Sequence, residues 1–207
     1  MLIEDTLEIC TYSKYQEPEL GFLFGIRCAN FAEKWSLRHY QLCTADEEKL
    51  FLIKTHEAPL DNNPCIYLIR DGRNAISGLA RFWGKAVHKI ITGEESSPFM
   101  DWTTHYRVWR PYERPQTLIV HFEDMVKQPD AEAARISEYI NMPVKKQFDN
   151  PQKECRKHWP QLFKPRHSDY KIDFTEFDTE LFWQLHEDTM IATGYGSREE
   201  DENAGKV

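Results

Sequence analysis

The sequence predicts an α/β protein, a three-layer α/β/α arrangement with a largely parallel central sheet. Three observations predict it. Apolar runs of β propensity at residues 50–53, 65–69 and 118–120 are each too short for a helix and are bounded by polar or turn residues. The stretches between and after them carry apolar residues at spacings of three and four, the helical period. Strands that alternate with helices pair in parallel, because a parallel pair needs a crossover connection, and helices then cover the faces of the sheet.

In chain order, the first 45 residues show an apolar, glycine-interrupted patch at 20–26 and a helical rhythm at 31–42. Residues 50–53 read as a buried strand ending at Lys54-Thr55-His56, and the EAPLDNNP loop returns the chain to a strand at 65–69. Asp71-Gly72 supplies a turn, and Asn74 is the expected cap of a helix carrying Ile76, Leu79, Ala80 and Trp83. ITGEESSP is a surface loop. Residues 99–109 form a helix whose stripe of Trp102, His105, Tyr106 and Trp109 reads as core. After the strand at 118–120, His121-Phe122-Glu123-Asp124 reads as a strand-to-loop structural network. Pro129 and Asn141-Met142-Pro143 bracket the next helix. A last helix over 179–192 presents Leu181, Phe182, Leu185 and Ile191 and stops at Gly194.

A chain of 207 residues suits one domain with a substantial core, expected over 1–197, with 198–207 a frayed acidic tail. Six Trp, nine Tyr and twelve Phe supply large core surfaces, which argues against disorder. The net charge of -8 and the pI of about 5.5 give no reason to expect a nucleic-acid partner. Charge is nevertheless segregated. Residues 145–171 hold eight Lys/Arg against three Asp/Glu, whereas 172–202 hold one Arg against ten Asp/Glu, so a small anion would suit the earlier stretch. The cysteines Cys10, Cys28, Cys43, Cys65 and Cys155 are odd in number and widely spaced. They suggest neither a disulfide framework nor a metal site, and they fit a reducing, cytoplasmic setting. No signal peptide or membrane span is apparent.

The chemistry-bearing residues gather at expected strand ends. Lys54, His56 and Arg70 would share one rim of the sheet, with Arg70 beside a helix N-terminus whose free N–H groups favour negative charge. Cations there stabilise charge on a transferring group, and a near-neutral histidine takes a proton from an attacking hydroxyl. The bland alternative for Arg70 is an ion pair with Asp71 or Glu123. There is no GxxxxGK[ST] phosphate cradle, no glycine-rich dinucleotide fingerprint, no GxSxG elbow and no metal-ligand spacing.

FLIKTHEAP, IYLIRDGRNAISG, MDWTTHYRVW and LIVHFEDM, in this order and spacing, resemble landmarks of the sulfotransferases that use 3′-phosphoadenosine 5′-phosphosulfate (PAPS). The likeness runs over about residues 50–195. It implies a P-loop-NTPase-like fold with an atypical N-terminal part, PAPS as donor, no metal, and a small-molecule hydroxyl as acceptor. It further implies His56 as general base, Lys54 stabilising charge near the leaving group, and Arg70 holding the 3′-phosphate. The family's phosphate-contacting serine falls at Gly78, with Ser77 one residue early. LFKPRHSDYKIDFTEF resembles the late nucleotide-binding loop, in which Lys164 and Arg166 would contact phosphate.

The family's PKSGTTW-type 5′-phosphosulfate loop has no counterpart before Lys54. Two readings follow from this departure: an active sulfotransferase with substitute donors from residues 20–45 or another subunit, or a degenerate relative acting as a nucleotide-binding or interaction module. A chain lacking that strand and helix would expose apolar sheet surface, which a homo-oligomer contact would cover.

Overall fold

The structure is a computed structural model and describes residues 7–11, 50–54, 58–59, 62–95, 100–144, 146–147, 156–158 and 169–204, with the backbone alone at 7–11 and 50–54. The chain divides into two compact units, Met1–His56 and Glu57–Val207. In the first, β1 (Leu7–Thr11) and β2 (Leu50–Lys54) pair in parallel, Leu7 opposite Leu50 and Thr11 opposite Lys54.

The second unit is built on a parallel pair, β3 (Cys65–Ile69) and β4 (Thr117–His121), with Cys65 opposite Thr117 and Ile69 opposite His121. Three helices cross over between them: α1 (Gly72–Trp83), α2 (Val87–Ile91) and α3 (Trp102–Trp109). This is the strand, helix, parallel strand unit that the sequence predicts. Then come α4 (Phe122–Lys127), α5 (Pro129–Ile140), a 3₁₀ turn at Tyr170–Ile172, α6 (Glu176–Ala192) and α7 (Arg198–Ala204).

Local chemistry explains the boundaries. Helix α1 starts at Gly72 because the Asp71 carboxylate accepts from the Arg73 amide at 2.9 Å, so Asp71, not Asn74, is the cap. It ends at Gly84, whose φ of 64° is left-handed. Asp101 caps α3, which begins at Trp102 and not at residue 99. Phe122 to Asp124 are already helical in α4, where a loop was expected. Pro129 opens α5 and Asn141, at φ 54°, closes it. A capping box between Thr175 and Asp178 starts α6 at Glu176.

The core packs Ile76 and Ala80 of α1 against Ile90 and Ile91 of α2 and Phe182, Trp183 and Met190 of α6. The buried stripe of α6 is therefore rotated from the expected one: Leu185 and Ile191 are exposed, while His186 and Thr189 are inside. Both polar residues are satisfied there. His186 Nε2 lies 3.1 Å from the Ile91 carbonyl, Nδ1 lies 2.8 Å from Thr103 Oγ1, and Thr103 bonds Thr189 at 3.0 Å.

Residues 198–204, expected within a frayed acidic tail, form α7. Asp201 on it accepts from Arg73 Nη1 at 2.6 Å and from the Tyr170 hydroxyl at 2.5 Å, which supplies the anchor that composition did not reveal. No helix among the described residues is long and apolar enough to cross a membrane.

Candidate functional site

Arg70 is the first residue past the carboxyl end of β3, and Asp71 then caps α1, so the arginine stands at the strand end beside the helix start. The turn that holds it is fixed from the side. Glu123 accepts from the Asp71 backbone N–H at 3.2 Å and from the Tyr195 hydroxyl at 2.6 Å; the same hydroxyl lies 3.1 Å from His121 Nδ1. Burial, followed by the Glu123 bond, pushes the Tyr195 hydroxyl well above its ordinary pKa, so it stays protonated as the donor. Of the expected network at residues 121–124, His121 and Glu123 are thus joined through Tyr195. Tyr195 is a member that sequence reasoning missed. Its signal was the flanking pair Gly194 and Gly196, both at positive φ, which turn the chain back after α6.

The Arg70 guanidinium carbon lies 4.6 Å from the centroid of the Phe122 ring. Its Nη1 is 3.6 Å from where a Cβ on Gly78 would stand, so the guanidinium spans the space between α4 and the second turn of α1. Its Nε is buried and makes no hydrogen bond among the described residues. Burial pulls the guanidinium below its ordinary pKa, opposed by the charges of Glu123 and Asp71. A half-buried cation with a buried, unused donor is an acceptor-seeking group, and an anion satisfies it.

Of the two acids weighed as ion-pair partners for Arg70, Asp71 and Glu123, the first is taken by another arginine. Asp71 grips Arg73, through Nε at 3.0 Å and Nη2 at 2.6 Å. Burial lowers the Arg73 pKa, but the bonds to Asp71 and the charge of Asp201 more than reverse this and leave it above its usual value.

Ser77 is fully buried and donates to Asp173, which also pairs with Arg81, so its hydroxyl is committed inside the fold, not turned to the Gly78 side. One helical step rotates a side chain by about 100°, which separates the two positions. Gly78 itself faces Arg70, and a Cβ there would meet the guanidinium at ordinary contact distance. An open cleft of about 450 Å³ at the other end of α1, lined by Arg81, Lys85, His88, Asp173 and Asp178, includes neither Arg70 nor Gly78.

Lys54 is the last residue of β2 in the first unit. Its side chain, together with His56, Phe99, Lys164 and Arg166, lies outside what is described. Among the aromatics near this part of the fold, Trp83 and Trp102 pack on the core, and Phe82 is 46% exposed. Among the described residues no group of three or more His, Cys, Asp or Glu side chains is arranged to hold a metal ion.

The model of the sulfotransferase domain matches residues 45–168. The chain is similar in structure to mouse sulfotransferase SULT7A1, solved in complex with PAP, with a TM-score of 0.56 and 15% identity over 100% of this chain and 90% of that one. At that identity the likeness speaks for the fold. No curated protein matches the sequence. The family match spans more than half of the 207 residues and takes in β3, the capped turn after Arg70, α1 and β4, and the fold agrees with it: the chain belongs to the sulfotransferase domain family.

Proposed function

We propose that this chain binds PAPS and passes its sulfuryl group to the hydroxyl of a small-molecule acceptor. The observation that carries the reading is Arg70: a half-buried guanidinium with an unused Nε, seated on Phe122 at the end of β3. A terminal phosphate fits that donor set, and Arg70 beside Gly78 is assigned to the 3′-phosphate. Lys164 and Arg166 are assigned to further phosphate oxygens from the resemblance of their segment. The PAP held by mouse SULT7A1 is the same class of ligand in a protein of the same fold.

In the proposed reaction the acceptor oxygen attacks sulfur in line as its bond to the 5′-phosphate oxygen breaks. His56 takes the hydroxyl proton. Lys54 neutralises the oxygen that leaves with the nucleotide, and the products are the sulfated acceptor and 3′-phosphoadenosine 5′-phosphate. A second reading keeps the nucleotide site without transfer. It is favoured by one observation, that residues 1–53 hold no stretch like the family's 5′-phosphosulfate loop.

Calorimetry with 3′-phosphoadenosine 5′-phosphate, on the wild-type chain and on Arg70→Ala, tests the donor site. Saturable binding that the variant loses supports it; a folded wild-type chain that binds nothing removes it. Acceptor-dependent release of the desulfated nucleotide from PAPS, lost in His56→Ala, then separates transfer from binding alone.

A further inference from the structure

We propose that Asp201, on the C-terminal helix α7, is a positioning residue for the donor-nucleotide site; this rests on the donor-site reading above. One carboxylate bridges two segments distant in sequence. Its Oδ1 accepts from Arg73 at the start of α1, and its Oδ2 accepts from Tyr170, which opens the 3₁₀ turn. Tyr170 follows Arg166 by only four residues in the chain, so the bridge joins the Arg70 turn to the exit of the basic stretch.

The connection to Arg70 is short and rigid. Arg73 is held by Asp201 on one side and by three bonds to Asp71 on the other, and its guanidinium carbon lies 5.0 Å from the Tyr170 ring centroid and 5.5 Å from that of Trp183. Asp71 is the neighbour of Arg70, and its backbone N–H is tied to Glu123. The side chains of Arg73 and Asp201 are only 13% and 14% exposed, where charged hydrogen bonds are screened little by water.

Helix α7 gains little from apolar docking, since its sequence REEDENA has no large apolar side chain and seven residues do not sustain a helix alone. Polar bonds attach it. Arg198 pairs with Glu180 of α6 where the pair is exposed, and with Glu202 within α7 itself, whereas Asp201 makes its two bonds in a largely buried setting.

Charge and position act in opposite directions here, and that makes the idea testable. Removing a carboxylate near a phosphate site raises the local positive potential and by itself tightens anion binding. Loosening the Arg73 and Tyr170 anchorage costs preorganisation and weakens it.

The experiment is calorimetric titration of 3′-phosphoadenosine 5′-phosphate into the full chain and into Asp201→Asn, Asp201→Glu and Tyr170→Phe. Thermal melts of each and hydrogen exchange at the amides of residues 71–73 accompany it. Asp201→Asn is expected to bind roughly tenfold more weakly despite its lost negative charge, and to exchange those amides faster. Asp201→Glu recovers part of the affinity, and Tyr170→Phe loses a smaller share. A folded Asp201→Asn chain that binds as tightly as wild type, or more tightly, overturns the inference alone. No binding by the wild-type chain overturns the donor-site reading and this inference with it. Should Asp201→Asn not fold, Tyr170→Phe decides: unchanged affinity and exchange sink the proposal.

Discussion

The Arg70 guanidinium stacks on the Phe122 ring, 4.6 Å from its centroid, and the two residues directly follow the paired strands β3 and β4. The parallel register that sets Ile69 opposite His121 therefore also sets the cation on its aromatic support. A contact of this kind at a partly desolvated site is worth about 1–2 kcal/mol. Phe122→Leu keeps an apolar support but loses the ring's negative face. Its expected effect is a stability loss of about 1 kcal/mol, together with weaker binding of 3′-phosphoadenosine 5′-phosphate. Urea denaturation and calorimetry on one preparation check both, and unchanged affinity would show that the ring does not hold the guanidinium in place.

Gly78 gives a second prediction, because its missing Cβ would stand 3.6 Å from Arg70 Nη1, an ordinary contact distance. Its φ is not among the positive ones, so a side chain costs no backbone strain. Gly78→Ala should stabilise α1 by about 0.5–1 kcal/mol through helix propensity, with donor affinity near wild type. Gly78→Ser adds a hydroxyl beside Arg70, and a hydrogen bond to a charged phosphate is worth about 1.5–3 kcal/mol at most. Tighter nucleotide binding in the serine variant than in the alanine variant is the expected result. Equal affinities would mean that the phosphate does not lie on this side of the helix.

Much of this arrangement was readable beforehand where apolar runs and turn chemistry agreed. The residues of β3 and the position of Arg70 at its end follow from five β-prone residues before a turn, and Pro129 and Asn141 marked α5. What escaped was long-range polar chemistry. His186 was not named on the expected apolar face, because its partners, Thr103 and the Ile91 carbonyl, come from other elements. The acidic string at 199–202 looked solvated because nothing in its composition says that Asp201 meets Arg73 and Tyr170. Ser77, a reasonable substitute for a displaced serine, turned out to serve Asp173.

Gly72 illustrates a glycine needed for space and not for conformation. It read as part of a turn, yet it is the first residue of α1, and a Cβ there would come within 2.9 Å of two Trp102 ring carbons. The ring packs on the core cluster and has little room to yield. Gly72→Ala should therefore cost about 1–3 kcal/mol, the usual range for overpacking, despite alanine's better helix propensity. Chemical denaturation measures it, and a neutral result would show that Trp102 moves aside freely.

The last prediction concerns acid. Burial pushes the His186 imidazole below its ordinary pKa, more than the Asp101 charge and the Ile91 carbonyl raise it, and burial lowers His105 as well. Both are therefore neutral in the fold at neutral pH, His105 with Nδ1 2.9 Å from the Tyr67 hydroxyl. The unfolded chain takes up a proton at each near pH 6.5, before the folded chain does. In that window the unfolded state binds more protons, so stability rises with pH and falls on acidification, by up to about 1.4 kcal/mol per pH unit for each histidine. The loss begins as pH drops through about 6.5 and stops once pH falls below the depressed folded values, where both states are protonated. Melting temperatures between pH 7.5 and 5 should decline accordingly. In His186→Gln, whose side-chain amide can still donate to the Ile91 carbonyl, the decline should be shallower even though the variant starts from a lower value at neutral pH. A parallel decline in wild type and variant would place the acid sensitivity in other groups.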